Sequence, residues 1–224
     1  VLDNDVGGDI GKIVNKCKNP LFCKLIAHGK KAHGSTPWEG TDANEKLMIA
    51  CDMLRKIYPY YAADGTVPEN KWINTMHVAQ ISGGSASNVI SDYAEAVLDI
   101  RLTEDSSVEK ELERIRAVLP QGVEISIISQ GVPVVMSEKN PLILQYKTLA
   151  EKFLGQKIEF EQMGGATDSK AFAVRGSTVI MHSGSGEGMH GDNEYVEWSS
   201  VEKLAAIQIE FLQQLSEDKK KSMP

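Results

Sequence analysis

Tyr93-Ala94-Glu95-Ala96-Val97-Leu98-Asp99-Ile100-Arg101-Leu102 alternates without a break. Ala94, Ala96, Leu98, Ile100 and Leu102 fall on one side, Tyr93, Glu95, Val97, Asp99 and Arg101 on the other. A period of two is the mark of a β-strand with one buried face, so Arg101 projects from the face opposite the apolar one. Working outward, residues 21–27 and 74–81 read as further strands, and Val123, Ile125 and Ile127 as a fourth. His77 shares a face with Ala79 and Ile81 in this reading and is a sheet histidine. Between the strands, Ala43, Leu47, Cys51, Leu54 and Tyr58 form one helical stripe behind Asp42, a good N-cap, with Pro59 as the stop. Val108, Leu112, Ile115 and Leu119 form a second stripe, closed by Pro120 and Gly122. Residues 62–69 are a polar loop.

The order over residues 21–128 is therefore β-α-β-β-α-β. That is the split βαβ, ferredoxin-like pattern: a four-stranded antiparallel sheet with two helices on one face. After Gly131-Val132-Pro133 the pattern changes. Pro141 opens a helix running to Leu154, Ile158-Glu159-Phe160 is a short strand, and residues 177–181 are another. Val201, Leu204, Ile207, Phe211 and Leu215 stripe a last helix. This alternation is part of an α/β sheet too short to close a core alone, and Val1-Leu2 belongs to the same sheet. The start at Val1-Leu2-Asp3 lacks Met and reads as a strand end, the mark of a piece of something longer.

Hydrophobic residues make up 42% of the 224 and charged residues 25%, as in a globular protein with a real core. A net charge of -7 argues against nucleic acid as a partner, because phosphate binding wants a basic face. Lys219-Lys220-Lys221 reads as a solvated end. No apolar run is long enough to span a bilayer and none at the start reads as a secretory leader, so no membrane is expected. Cys17, Cys23 and Cys51 are odd in number and lack metal spacing. They fit packed thiols in a reducing, cytoplasmic setting.

Three stretches outside the sheet pattern carry chemistry. Asp3 directly follows apolar strand residues, a ligand-holding position in α/β proteins, although a turn Asp reads the same. Gly164-Gly165-Ala166-Thr167-Asp168 opens a helix, and the loop that follows carries His190 with Glu194 four residues on. Imidazole and carboxylate suit zinc; the plain alternative for His190 is a solvated surface residue. His33 lies in the Gly-rich loop 29–40.

These stretches, in order, resemble the di-zinc metallopeptidase family of aminoacylases, dipeptidases, glutamate carboxypeptidases and succinyl-diaminopimelate desuccinylases. Four carry the likeness: Gly29-Lys30-Lys31-Ala32-His33-Gly34-Ser35-Thr36-Pro37-Trp38-Glu39-Gly40; residues 82–90 leading to Asp99-Ile100-Arg101; Gly164 through Asp168; and His190 through Val196. The resemblance implies an α/β catalytic domain, partial here (residues 1–19 and 134–224), with an inserted α+β ferredoxin-like lid (residues 20–133). It implies a zinc-dependent hydrolase, with two zinc ions in a complete protein, cleaving a short peptide or an N-acyl amino acid.

By the same resemblance Asp3 (Asp5 as fallback) and His190 are metal ligands, and Glu194 orients His190 or its loop. His33 is the lid histidine that stabilises the oxyanion in the other subunit's site. Asn88 and Arg101 bind substrate, Arg101 by its fork, while Gly164, Gly165 and Thr167 line the pocket. Asn88 also reads as a turn residue, and Arg101 as a strand residue paired with Asp99 or Glu95. Trp38 packs in the lid or, in the less favoured reading, forms part of a substrate wall. The lid implies a homodimer. The family's first part supplies a His-x-Asp motif, a bridging Asp and a Glu-Glu pair; neither motif precedes the lid in this chain, so these residues alone are expected to be inactive. The rival reading is a non-catalytic dimerisation and binding module derived from that family.

Overall fold

Asn19–His28 and Tyr93–Leu102 are the two longest strands of a four-stranded sheet, and both carry alternating small and branched apolar residues that bury one face. The computed structural model describes residues 1–58 and 69–221. In chain order its elements are β1 (Leu2–Asp3), β2 (Lys12–Cys17), β3 (Asn19–His28), α1 (Ala43–Ile57), β4 (Thr75–Gly83), β5 (Tyr93–Leu102), α2 (Val108–Arg116), β6 (Val123–Gln130), β7 (Val134–Val135), α3 (Pro141–Leu154), β8 (Glu159–Met163), α4 (Lys170–Ala173), β9 (Ile180–Met181), β10 (Gly186–Glu187), β11 (Tyr195–Val196) and α5 (Trp198–Lys221). They fall into two compact units: Lys18–Pro133, and Val1–Cys17 with Val134–Pro224.

In the unit Lys18–Pro133 the sheet order is β4-β5-β3-β6, antiparallel throughout. α1 joins β3 to β4 and α2 joins β5 to β6. Leu21, Cys23, Leu25, Ala27, Leu98 and Ile100 share one core with Leu47 and Leu54 of α1 and Leu112 and Ile115 of α2, so both helices cover the same face. α1 starts because Asp42 accepts a hydrogen bond from the Asn44 N–H, a cap worth about 1 kcal/mol. Ser107 caps α2 on the Lys110 N–H. Pro59 and most of the loop at 62–69 lie outside the described residues.

Two side chains of this unit sit differently from the sequence reading. β4 shifts register between Val78 and Gln80. The extra residue of such a bulge flips the pleat beyond it. His77, opposite Asp99, therefore lies on the outer face, while Ile81 falls opposite Ala96 and does not share its side. Trp38, read as a packing residue, is 77% exposed on a single 3-10 turn, Pro37–Glu39.

In the other unit β2 is the hub: β8 runs parallel to it, and β7 and β9 pair with it antiparallel. β1 pairs in parallel with β9, Leu2 opposite Ile180 and Asp3 opposite Met181. The sheet has a core on each face. Ile13 and Ile180 pack with Tyr146 of α3 and Phe211 of α5; Val14, Cys17 and Met181 pack with Val134 and Val179. β2 does not stand out in the sequence. Its residues Lys-Ile-Val-Asn-Lys-Cys do not alternate, because a strand buried on both faces has no polar side to mark it. α3 starts as expected, with Asn140 capping two N–H groups ahead of Pro141, and ends at Gly155 in the left-handed region (φ 66). The cysteines are all free and buried. No helix among the described residues is long and apolar enough to cross a membrane.

Candidate functional site

Asp3 ends β1, and its carboxylate is held from both sides. Oδ1 accepts the Asp5 N–H at 3.0 Å and Oδ2 accepts the Thr167 hydroxyl. The Gly164-Gly165-Ala166-Thr167-Asp168 turn after β8 is thus brought to the strand-end carboxylate, although some 160 residues separate them in sequence. Thr167 is 5% exposed and its hydroxyl goes to Asp3 instead of lining a pocket. Gly164 has open space about it, and Gly165 meets only the Met163 side chain.

The segment after Asp3 is tied to the root of the His190 loop. Gly186 N–H donates to the Gly8 carbonyl at 3.0 Å, Ile10 N–H to Ser185 Oγ at 3.2 Å, and the Ser183 hydroxyl to the Gly7 carbonyl. A Cβ on Gly8 would lie 2.3 Å from the Gly186 oxygen, so the two backbones meet where no side chain fits. β10 and β11 pair across the loop, Gly186 opposite Val196 and Glu187 opposite Tyr195. At its tip His190 is exposed with φ 63, the one described non-glycine residue in the left-handed region. Glu194 Oε2 accepts the His190 backbone N–H at 3.2 Å, so Glu194 holds the loop and not the ring. A cavity of about 320 Å³ lies beside this loop, lined among others by Gly7, Ser183, Glu194, Val196 and Leu204.

His182 does not stand out in the sequence. It is fully buried, and its Nε2 lies 2.8 Å from the Ile10 carbonyl and its Nδ1 2.9 Å from Tyr146 OH. A carbonyl only accepts, so Nε2 carries the proton and Nδ1 accepts from the phenol. Burial, the largest effect, holds its pKa below the ordinary histidine value. Its place beside the apolar run 177–181 is the one signal the sequence offers. Burial and the charge of Asp3 push the Cys17 thiol up to about 12, so it is no thiolate nucleophile at neutral pH.

The remaining candidates belong to the unit Lys18–Pro133. His33 pairs with Val89 in an isolated bridge, and Gly34 N–H donates to the Asn88 carbonyl at 2.7 Å, which places His33 and Asn88 on adjoining loops. Ser35 N–H and its hydroxyl both reach His33 Nδ1, at 3.2 and 2.7 Å. The neutral ring therefore carries its proton on Nε2. Arg101 is half-buried and grips Asp99 with Nε and Nη2 (2.7 and 3.0 Å), its guanidinium 5.4 Å from the Phe22 ring centre. Its fork is engaged within the chain, the alternative open to a strand Arg two residues from Asp99.

Residues 16–125 match the model of the M20 peptidase dimerisation domain. In this the chain is similar to the M20 peptidases. It is 27% identical over 209 residues to a succinyl-diaminopimelate desuccinylase of Shewanella pealeana, covering 88% of this chain and 51% of that one. It is 31% identical over 114 residues to a protein of Talaromyces marneffei named a probable carboxypeptidase, covering 50% of this chain and 24% of the other. A tripeptidase of Staphylococcus aureus has a similar fold, with a TM-score of 0.76 at 20% identity over 94% of this chain and 55% of its own. The chain spans about half or less of the length of these proteins.

M20 peptidases are generally metal-dependent, and the residues present fit a metal in kind. Each Asp3 oxygen accepts one hydrogen bond and keeps a second lone pair, and His190 offers an exposed ring. They do not make a cage: among the described residues no group of three His, Cys, Asp or Glu side chains converges. His190-Gly191-Asp192 does spell a His-x-Asp, but in the C-terminal loop.

Proposed function

We propose that this chain is part of a zinc-dependent hydrolase that cleaves the amide bond of a short peptide or an N-acyl amino acid, and that it works as a homodimer. The observation that carries the reading is the carboxylate of Asp3, fixed at a strand end by the Gly-Gly-Ala-Thr-Asp turn and joined through Gly8 to the root of the His190 loop. Asp3 and His190 would hold zinc together with ligands from outside these residues. The metal, when bound, polarises the scissile carbonyl and acidifies water.

The chain's own residues supply positioning. Glu194 and the β10–β11 pair hold His190. Open space at Gly164 lets backbone N–H groups come close to a substrate. His33, with Nδ1 taken by Ser35 and its proton on Nε2, would meet the negative charge that develops on a carbonyl oxygen, a contact worth about two to three powers of ten in rate. Asn88, on the adjoining loop, would bind substrate. Arg101 would do so only by sharing its fork with Asp99. The unit around residues 20–133 is proposed to be a ferredoxin-like lid, which its sheet order supports.

A second reading, a non-catalytic dimerisation module, is favoured by the absence of a three-ligand cluster among the described residues. The test is zinc content and hydrolysis of di- and tripeptides and N-acyl amino acids, on this chain and on the longest polypeptide its gene encodes. Zinc-dependent turnover lost in Asp3→Asn and His190→Ala supports the hydrolase. Dimers without zinc or turnover in both polypeptides support the module.

A further inference from the structure

Thr167 has a hydroxyl with one proton to give and two lone pairs to fill. All three places are taken inside the chain. Its oxygen lies on Asp3 Oδ2, an ionised carboxylate oxygen that only accepts, so the Thr167 proton points at Asp3. Ser169 N–H donates to Thr167 Oγ1 at 3.1 Å, and Ser169 Oγ sits 3.0 Å from the same atom. Because the Thr167 proton is spent, Ser169 is the donor in that contact too. Thr167 and Ser169 are 5% and 6% exposed, so water does not compete for these bonds. The result is a one-way chain, Ser169 to Thr167 to Asp3, in which each bond polarises the next.

We infer that Thr167 is a positioning residue that fixes the carboxylate of Asp3 in its ligand orientation, and that Ser169 fixes Thr167. The inference rests on the reading of Asp3 as a metal ligand. Its physical content is rotamer selection. Asp3 is half-buried and at a strand end, where its side chain is otherwise free to turn. The Asp5 N–H holds Oδ1 and the Thr167 hydroxyl holds Oδ2, so both oxygens are pinned and one lone pair on each stays open. Groups behind a metal ligand of this kind are worth about 10- to 100-fold in metal affinity. It also separates Thr167 from the glycines beside it: Gly164 remains open to a substrate, while Thr167 acts through Asp3.

The test uses the longest polypeptide the gene encodes, which brings in the ligands from outside these residues, and Co(II) as probe, read by calorimetry and visible absorption, with wild type, Asp3→Asn, Thr167→Val, Thr167→Ser and Ser169→Ala. NMR couplings of the Asp3 Cβ protons, without metal, report its rotamer directly. Expected are weaker Co(II) binding in Asp3→Asn, a loss of about 10- to 100-fold in Thr167→Val, rescue in Thr167→Ser, and Asp3 couplings that change from a single rotamer to an average in Thr167→Val alone of the two. Should Thr167→Val fail to fold, Ser169→Ala carries the test, with weaker Co(II) binding expected. If Asp3→Asn weakens binding and the Thr167 and Ser169 variants bind as wild type, the inference is overturned and the ligand reading of Asp3 stands. If Asp3→Asn binds Co(II) no differently from wild type, the ligand reading fails and takes the inference with it.

Discussion

The two units solve the problem of a sheet in opposite ways. In Lys18–Pro133, β3 pairs with β5 residue for residue from Asn19 opposite Leu102 to His28 opposite Tyr93, and two helices close one face. In the other unit, β1, β7 and β9 are two residues long and all but β1 lean on β2. The first makes its core within one continuous stretch of sequence. The second relies on strands brought together from both ends of the sequence, each with little ladder of its own. Long registers and a one-sided core make a unit that stands alone, while a hub strand with short neighbours makes one that loosens locally.

Urea unfolding is where this contrast breaks or holds. Two transitions are expected, the unit built on β2 going first, as followed by amide exchange of β2 against β5. A single coincident transition would break the contrast. Leu98→Ala, at a fully buried position of β5, should cost about 3–5 kcal/mol and move only the later transition. Glu111→Ala should cost about 3 kcal/mol in the same transition. Glu111 is buried, accepts the Tyr58 hydroxyl and holds Arg114 Nη2 at 2.6 Å, so its loss strands a buried phenol and unpairs the guanidinium. Gly8→Ala should lower only the earlier transition, by about 1–3 kcal/mol, because its Cβ would run into the Gly186 backbone.

The smallest effect separates the units by pH. The native pKa of His182 is held down by burial, so below about pH 6.5 the unfolded chain takes up a proton that the native ring refuses. The earlier transition should weaken as pH falls through that window, no more steeply than about 1.4 kcal/mol per pH unit. His182→Gln should remove that slope.

The unit Lys18–Pro133 was legible because its strands are buried on one face. Alternation at Tyr93–Leu102 and the stripes beneath Asp42 and at Val108 say which side faces inward before any partner is known. The register shifts at Val78 and between Phe22 and Cys23 escaped, since an inserted residue leaves no mark in composition, and so did the exposure of Trp38. In the other unit the helices were legible from Pro141 and from the stripe at Leu204, Ile207 and Phe211, while β2 was not, having no polar face. The candidate site divides the same way. Asp3 stands at a strand end and His33 and His190 in loops, all in stretches whose residue types suggest chemistry. His182 carries no such context, and Thr167 reads in sequence as facing a substrate.

The sequence by itself determined the order of elements in the unit Lys18–Pro133, the helix starts, the buried free cysteines and the stretches that carry family likeness, because each depends on residues near one another along the chain. Only the tertiary structure decided that Val1–Cys17 closes on Val134–Pro224 and that Thr167 spends its one proton on Asp3. Those depend on which hydrogen-bond donor meets which acceptor across a fold, and a hydroxyl in a sequence does not say whom it will meet.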